Sequence, residues 1–157
     1  MLIKSLYTLF LAILISLFVG LGIDSFYREP TRPEYPTKLE VIEPGKAGPN
    51  AEQLIAQKEF DSAQKKYTEE LKKYNKNVSI VSLIAAIVIL VVSLTFASKI
   101  KMIADGVLLG GVFITVYSII RGFMSESSQF RFLVVTIGLI IALVLGYVKF
   151  IKPQKDF

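Results

Sequence analysis

Four long apolar runs dominate the pattern of hydrophobic and polar positions along this chain. They cover about Leu6–Ile23, Ser79–Ala97, Met102–Ile120 and Phe132–Val148. A helix that crosses a bilayer needs about 20 predominantly apolar residues, and each run is close to that length. Charged residues avoid the centres of the runs, where a single charge costs at least about 2.5–3.5 kcal/mol on insertion scales. The pattern predicts an all-α membrane protein with four transmembrane helices.

Two other organisations are the alternatives to four spans. A water-soluble bundle needs polar residues at every third or fourth position of each run, and these runs lack them. A cleaved signal peptide followed by three spans stays open, because Lys4 precedes the first run and Gly20-Leu21-Gly22 could form a small-residue cleavage site. The length of the run favours retention, with residues 1–23 as a signal-anchor-like first transmembrane helix.

The long charged stretch between the first two spans begins with a proline-rich part, residues 24–49. Pro30, Pro33 and Pro36 recur at every third position. Proline fixes φ and pushes the preceding residue toward extended conformations, so this part is predicted to be extended and polyproline-like. A connector packed along the neighbouring helix is favoured over a ligand for an aromatic groove.

Residues 50–78 are predicted to form an amphipathic stalk helix. Asn50 occupies an N-cap position, with Gln53 three residues later as in a capping box. No proline or glycine follows before the second span, so the sequence predicts that one helix can run from Asn50 to Ala97. At about 1.5 Å per residue, its outer part would extend about 40 Å.

The stalk helix carries an apolar stripe in steps of three and four residues, and Leu54 and Ile55 are interpreted as its extension. Two outcomes stay open for the stripe. Side chains of the preceding segment could cover it, or it could stay open and bind another copy or another protein, since an exposed apolar face is an interaction site. The covering side chains would be Tyr27, Tyr35, Leu39 and Val41. The candidate interaction residues are Phe60, Tyr67, Leu71 and Tyr74.

Residues 79–157 are predicted to form a three-span helical hairpin region with a basic C-terminal tail. Small residues repeat every four positions in its last two spans, a pattern that lets helices approach closely in lipid. These small residues could lie where two copies of the chain meet, or where helices of one chain pack against each other. The candidate packing residues are Gly106, Gly110, Gly138, Ala142 and Gly146. Asp105 follows Lys101 by four residues, which favours an i,i+4 ion pair over a cation site.

Composition excludes several chemistries. The chain has no Cys, His or Trp, so it lacks the usual ligands of zinc, haem and iron–sulfur clusters and the usual groups of covalent catalysis. No phosphate-binding glycine loop is present. We therefore predict no catalytic, cofactor-binding or metal residues, and no enzymatic activity. The net charge of +5 lies outside the charge-balanced residues 24–78, which indicates contact with lipid headgroups rather than nucleic acid.

The orientation follows from the basic residues. Lys4 and the Lys residues of the short segments favour cytoplasmic N- and C-termini, with residues 24–78 outside. The long loop and the 121–131 turn carry more Lys and Arg in total, which favours the reverse orientation, but the rule weakens for loops approaching 60 residues.

The stretch Gly22-Ile23-Asp24-Ser25-Phe26-Tyr27-Arg28-Glu29-Pro30, which leaves the first span, resembles a feature of small, uncharacterised four-span membrane proteins of reduced-genome bacteria. The resemblance covers about the first third of the chain. It implies a bacterial cell-membrane setting and no mechanism.

The sequence predicts that this is a non-enzymatic plasma-membrane protein. It would act by binding other protein chains, either as a homo-oligomer or as an accessory subunit of an envelope complex. The alternative is a small transporter or channel subunit, in which several copies surround a path lined by hydroxyls such as those of Thr115 and Ser118.

Overall fold

The computed structural model describes residues 2–37, 51–96, 100–125 and 127–151, and within them the chain is helical with no strand. Its elements are α1 (Leu2–Phe26), α2 (Ala51–Phe96), α3 (Lys101–Phe123) and α4 (Ser128–Gly146), and α4 continues into a π-helical segment, Tyr147–Ile151. Four helices are long and apolar enough to cross a membrane. The prediction of an all-α protein with four such helices is confirmed.

The helix α2 joins a charged half and an apolar half in 46 residues without interruption. No proline or glycine lies within it, so no residue removes a backbone donor or favours a break. Its bounds agree with the continuous helix expected from the sequence. The two end residues of that expected helix, Asn50, which is also the proposed N-cap, and Ala97, lie outside the described residues.

The chain divides into two units, the bundle unit of Met1–Arg28 with Asn75–Phe157 and the loop unit of Glu29–Tyr74. In the bundle unit, α1 runs parallel to α3, because Leu11 lies against Gly106 and Ile15 lies against Gly110.

The helix α2 runs antiparallel to α3. Ser79 bonds to Ser118, whereas Ser93, later in α2, bonds to the earlier Ala104 of α3. The helix α4 runs antiparallel to α3 as well, since Val134 lies against Gly122, whereas Gly138, later in α4, lies against the earlier Ile119 of α3.

The centre of the bundle unit is formed by α2 and α3, which contribute most of its buried residues. By contrast, Ala12 is the one fully buried residue of α1, and it lies where α1 packs against α3. The outer surfaces of α1 and α4 are exposed and apolar, as expected for helices in contact with lipid.

In the loop unit, residues 29–36 have neither helix nor strand, and Thr37 is in a 3₁₀ turn. The ring of Tyr35 contacts the ring of Phe60 on α2 edge to face, with 5.3 Å between the ring centres and 74° between the planes. This arrangement is favourable for aromatic pairs. Tyr35 therefore covers part of the α2 stripe, as one of the two expected outcomes requires. Leu39 and Val41 lie outside the described residues.

Candidate functional site

Polar side chains line the contact between α2 and α3 at the end of the bundle where α3 finishes. Ser79 Oγ donates to the Ser118 carbonyl oxygen at 2.8 Å, and Ser118 Oγ donates to the Ser79 carbonyl oxygen at 2.7 Å. Both serines are fully buried. A hydroxyl in the hydrocarbon region needs a partner within the protein, and a small side chain lets two helix backbones approach. This reciprocal pair therefore fixes the register of α2 on α3.

Arg121 extends this polar contact by one helical turn. Its Nη1 donates to Asn75 Oδ1 at 2.9 Å and its Nε donates to Tyr117 Oη at 3.0 Å. The guanidinium carbon also lies 5.5 Å from the centre of the Tyr117 ring, within the range of a cation–π contact. Asn75 is buried and Arg121 is half-buried. The guanidinium is thus held in a defined position at the edge of the membrane-spanning region.

The turn between α3 and α4 completes this end of the bundle. Ser125 Oγ donates to the Gly122 carbonyl oxygen at 2.7 Å, and Arg131 Nε donates to the Ser125 carbonyl oxygen at 2.9 Å. Ser127 is the N-cap of α4 and accepts from the Phe130 backbone N–H. These bonds satisfy helix-end groups that would otherwise lack partners.

Two cavities lie along the C-terminal half of α1. The first, of about 620 Å³, separates α1 from α2 and is mostly apolar, with Phe18, Gly22 and Val81 in its wall. At one end Asn77 Nδ2 donates to Tyr27 Oη at 2.9 Å, which ties the end of α1 to α2.

The second cavity, of about 440 Å³, separates α1 from α3. Its lining combines apolar side chains with a carboxylate, Asp24, and a guanidinium, Arg121. Sequence reasoning missed both residues as a site. The one signal in the sequence is that Asp24 and Arg121 each lie just past an apolar run, near the end of a helix. That both line the same cavity depends on how α1 and α3 are rotated, which the sequence does not show.

The small residues predicted to pack helices fall into two groups. A Cβ built on Gly106 would lie 2.8 Å from Leu11 Cδ2, and one on Gly110 would lie 3.1 Å from Ile15 Cβ. A Cβ on Gly138 would lie 2.9 Å from the Ile119 side chain. These three glycines therefore lie at contacts between helices of one chain.

The remaining two small residues lie elsewhere. Ala142 is exposed, and a Cβ on Gly146 would meet no atom within 4 Å. A further glycine, Gly111, makes a closer approach than any of the four glycines among these candidates, because its built Cβ lies 2.6 Å from Leu90 of α2.

Asp105 forms an ion pair with Lys149, whose Nζ donates to Asp105 Oδ1. The prediction that Asp105 forms an i,i+4 ion pair with Lys101 is therefore wrong. Because α4 runs antiparallel to α3, the π-helical segment that follows α4 lies beside the start of α3, and the two charges meet there. Each side chain is about one-third exposed, so the pair contributes at most about 1 kcal/mol.

The predicted interaction residues of the stalk differ in exposure. Tyr74 is buried, with 4% of its surface exposed, and it is therefore not available to a partner. Phe60, Tyr67 and Leu71 are half-buried on the same face of α2.

The interpretation of Leu54 and Ile55 as an extension of that stripe is wrong. Both are exposed, whereas Phe60 is half-buried. At 3.6 residues per turn, each is rotated by more than about 100° from Phe60, so they lie on the opposite side of the helix.

The hydroxyls invoked for a transport path point into the chain. Thr115 Oγ1 donates to the Gly111 carbonyl oxygen at 2.9 Å, and Ser118 bonds to Ser79. Both residues are buried. Among the described residues, no group of three His, Cys, Asp or Glu side chains could hold a metal ion.

No protein-family model matches this chain, and neither a curated protein nor a solved structure is similar to it.

Proposed function

We propose that this protein is a non-enzymatic cell-membrane protein that acts by binding another protein through the outer part of α2, as a homo-oligomer or as an accessory subunit of an envelope complex. The supporting observation is that Phe60, Tyr67 and Leu71 form a partly exposed apolar face on a charged helix that is continuous with a membrane-spanning one. An apolar face of this kind on a helix is a typical protein-binding surface.

The spacing of this face suits a helical partner. Phe60, Tyr67 and Tyr74 are seven residues apart, the repeat by which helices pack in coiled coils. Tyr74 is already buried, and Tyr35 contacts the ring of Phe60, so the partner would cover what remains around Tyr67 and Leu71. Exposed charges such as the Lys66–Glu70 pair, 4.0 Å apart, surround the face and would set the orientation of the partner.

The same proposal includes a cytoplasmic location for both termini and an outer location for residues 24–78, with the proline-rich part extended beside the stalk helix. It is supported by the short basic segments at the opposite end of the predicted spans. Single cysteines at Ser62 and Gln154 in this Cys-free chain would test it with a membrane-impermeant thiol reagent in intact cells. Labelling at Ser62 alone supports the proposed orientation, and labelling at Gln154 alone reverses it.

A transporter built from several copies is less well supported. It requires hydroxyls on the surfaces where copies meet, whereas Thr115 and Ser118 are buried and bonded within one chain.

The binding proposal is tested by a photo-crosslinking amino acid at Leu71, with Tyr67→Lys as the disruptive variant. Tyr67→Lys places a charge in the apolar face, so we expect the crosslinked species to disappear while membrane insertion is unchanged. Ser62→Lys is the matched control, because it adds the same charge at an exposed position on the other side of the helix. Crosslinking that survives Tyr67→Lys, or that is lost equally with Ser62→Lys, would contradict the proposal.

A further inference from the structure

The cavity between α1 and α3 is amphipathic along its length. Ile13, Leu17 and Phe113 form apolar wall, and each of them is more than one-third exposed, so the cavity opens toward the lipid side of the bundle. Asp24 and Arg121 also line it. Because α1 and α3 are long and apolar enough to span a membrane, a cavity that opens on their outer side faces lipid molecules.

The length of the cavity fits one lipid leaflet. Ile13 and Asp24 are eleven residues apart on α1, which corresponds to about 16 Å of helix. Half of the hydrocarbon core of a bilayer is about 15 Å thick. An acyl chain that lies along the cavity would therefore reach the bilayer centre near Ile13, with its headgroup near Asp24.

The polar end presents two opposite charges at similar depth. The contacts of Leu11 with Gly106 and of Ile15 with Gly110 place Asp24 level with Ile119, within about 3 Å of Arg121 along the helix axis. Arg121 is positioned by Asn75 and Tyr117, and Asp24 is exposed and makes no ion pair within the described residues.

These charges match a headgroup that carries both signs. A guanidinium binds phosphate oxygens through charge-assisted hydrogen bonds, and a carboxylate accepts from a primary ammonium. Phosphatidylethanolamine carries both groups. Phosphatidylcholine has no N–H to donate, and phosphatidylglycerol has no amine.

We propose that the α1–α3 cavity is a binding site for phosphatidylethanolamine, with one acyl chain along α1, the phosphate at Arg121 and the ammonium group at Asp24. This site is independent of the protein-binding face on α2 and does not require it.

The test uses the purified full-length protein in detergent, mixed with phosphatidylethanolamine, phosphatidylcholine and phosphatidylglycerol of identical acyl chains, and native mass spectrometry as the readout. We expect phosphatidylethanolamine to be retained in preference to the other two. Equal retention of all three lipids, or a preference for phosphatidylglycerol, would overturn the proposal.

Two variants on α1 separate the cavity from the rest of the bundle. Gly20 lines the cavity and a Cβ there meets no atom within 4 Å, so the Cβ of Gly20→Phe is accommodated and its ring should occupy the cavity. Displacing about two lipid methylenes should lower phosphatidylethanolamine affinity about tenfold. Gly22→Phe is the matched control, since Gly22 is equally unobstructed but lines the α1–α2 cavity. Unchanged affinity in Gly20→Phe, or equal loss in both variants, would overturn the assignment.

The headgroup contact is tested by Asp24→Asn, an exposed position whose change should leave folding intact. We expect the preference for phosphatidylethanolamine over phosphatidylcholine to fall about two- to fivefold, the range for an exposed ion pair, with phosphatidylcholine binding unchanged. A preference that survives Asp24→Asn would show that the carboxylate does not bind the ammonium and would overturn the proposal.

Discussion

Gly110 is the position at which a larger side chain should separate α1 from α3. A Cβ there would lie 3.1 Å from both Cβ and Cγ2 of Ile15 and 3.3 Å from the Ala12 carbonyl oxygen. Favourable carbon–carbon contacts lie at about 3.5–4.0 Å, so even Ala requires the two helices to move apart by a few tenths of an ångström. Gly110→Leu adds three further carbons in the same direction, and one of the obstructing atoms is backbone, which cannot rotate away.

The expected cost follows from these distances. Inserting extra methylenes into a well-packed contact typically costs about 1–3 kcal/mol. Gly→Leu also raises helix propensity by roughly 0.8 kcal/mol, which would mask part of the loss. Gly22→Leu has the same gain without the clash, because a Cβ at Gly22 meets no atom within 4 Å. The difference between the two variants isolates the clash, and we expect Gly110→Leu to be less stable by about 1–3 kcal/mol.

Stability can be measured by SDS titration of the protein in mixed micelles, with near-ultraviolet circular dichroism of the tyrosines as the probe of tertiary packing. A loss of about 1–3 kcal/mol corresponds to a change of roughly five- to 150-fold in the unfolding equilibrium. If Gly110→Leu unfolds at the same SDS fraction as Gly22→Leu, α1 does not pack on α3 through Gly110 and the register described here is wrong.

Three further predictions concern the helix contacts of the bundle. Leu11→Cys with Gly106→Cys should form a disulfide, since the built Cβ at Gly106 lies 3.2 Å from Leu11 Cβ, near the usual 3.5–4.5 Å range. After proteolysis between α1 and α2, the two fragments should stay joined on a non-reducing gel. Separate fragments would refute the α1–α3 register. Asp105→Lys should cost up to about 1 kcal/mol and the additional Lys149→Asp should restore it, whereas purely additive effects in SDS titrations would argue against the ion pair. Ser79→Ala should cost about 0.6–1.7 kcal/mol in the same titrations, and no loss would mean that its bond to α3 does not stabilise the bundle.

The spans and the continuous α2 could be predicted because they depend on local pattern. An apolar run of about 20 residues has few alternatives to a helix in lipid, and an uninterrupted 46-residue stretch without proline or glycine has no reason to break.

The contacts between helices could not be predicted in the same way. Asp105 has one sequence neighbour of opposite charge four residues away, but its actual partner, Lys149, is 44 residues away and meets it through the antiparallel course of α4. The presence of Asp24 and Arg121 in the lining of one cavity likewise depends on the register and rotation of α1. A helix that is apolar on all sides does not specify either of them.

The stripe on α2 shows a different limit. Its period identified the face of Phe60 and Tyr67, but period alone did not show how much of that face the same chain covers. Leu54 and Ile55 were assigned to the stripe because they are apolar, although the helical rotation places them on the opposite side.

The packing of α1 on α3 also has a consequence for the time course of synthesis. Ser16 and Gly110, which meet in the folded protein, are separated by 94 residues along the chain. At about 5–20 residues per second, the ribosome needs roughly 5–20 s to make the partner of α1 after α1 itself has been made. During that interval the first helix has to be stable in lipid without α3, for which its exposed apolar surface is suited. Its packing against α3 is therefore expected to be a late, post-insertion event.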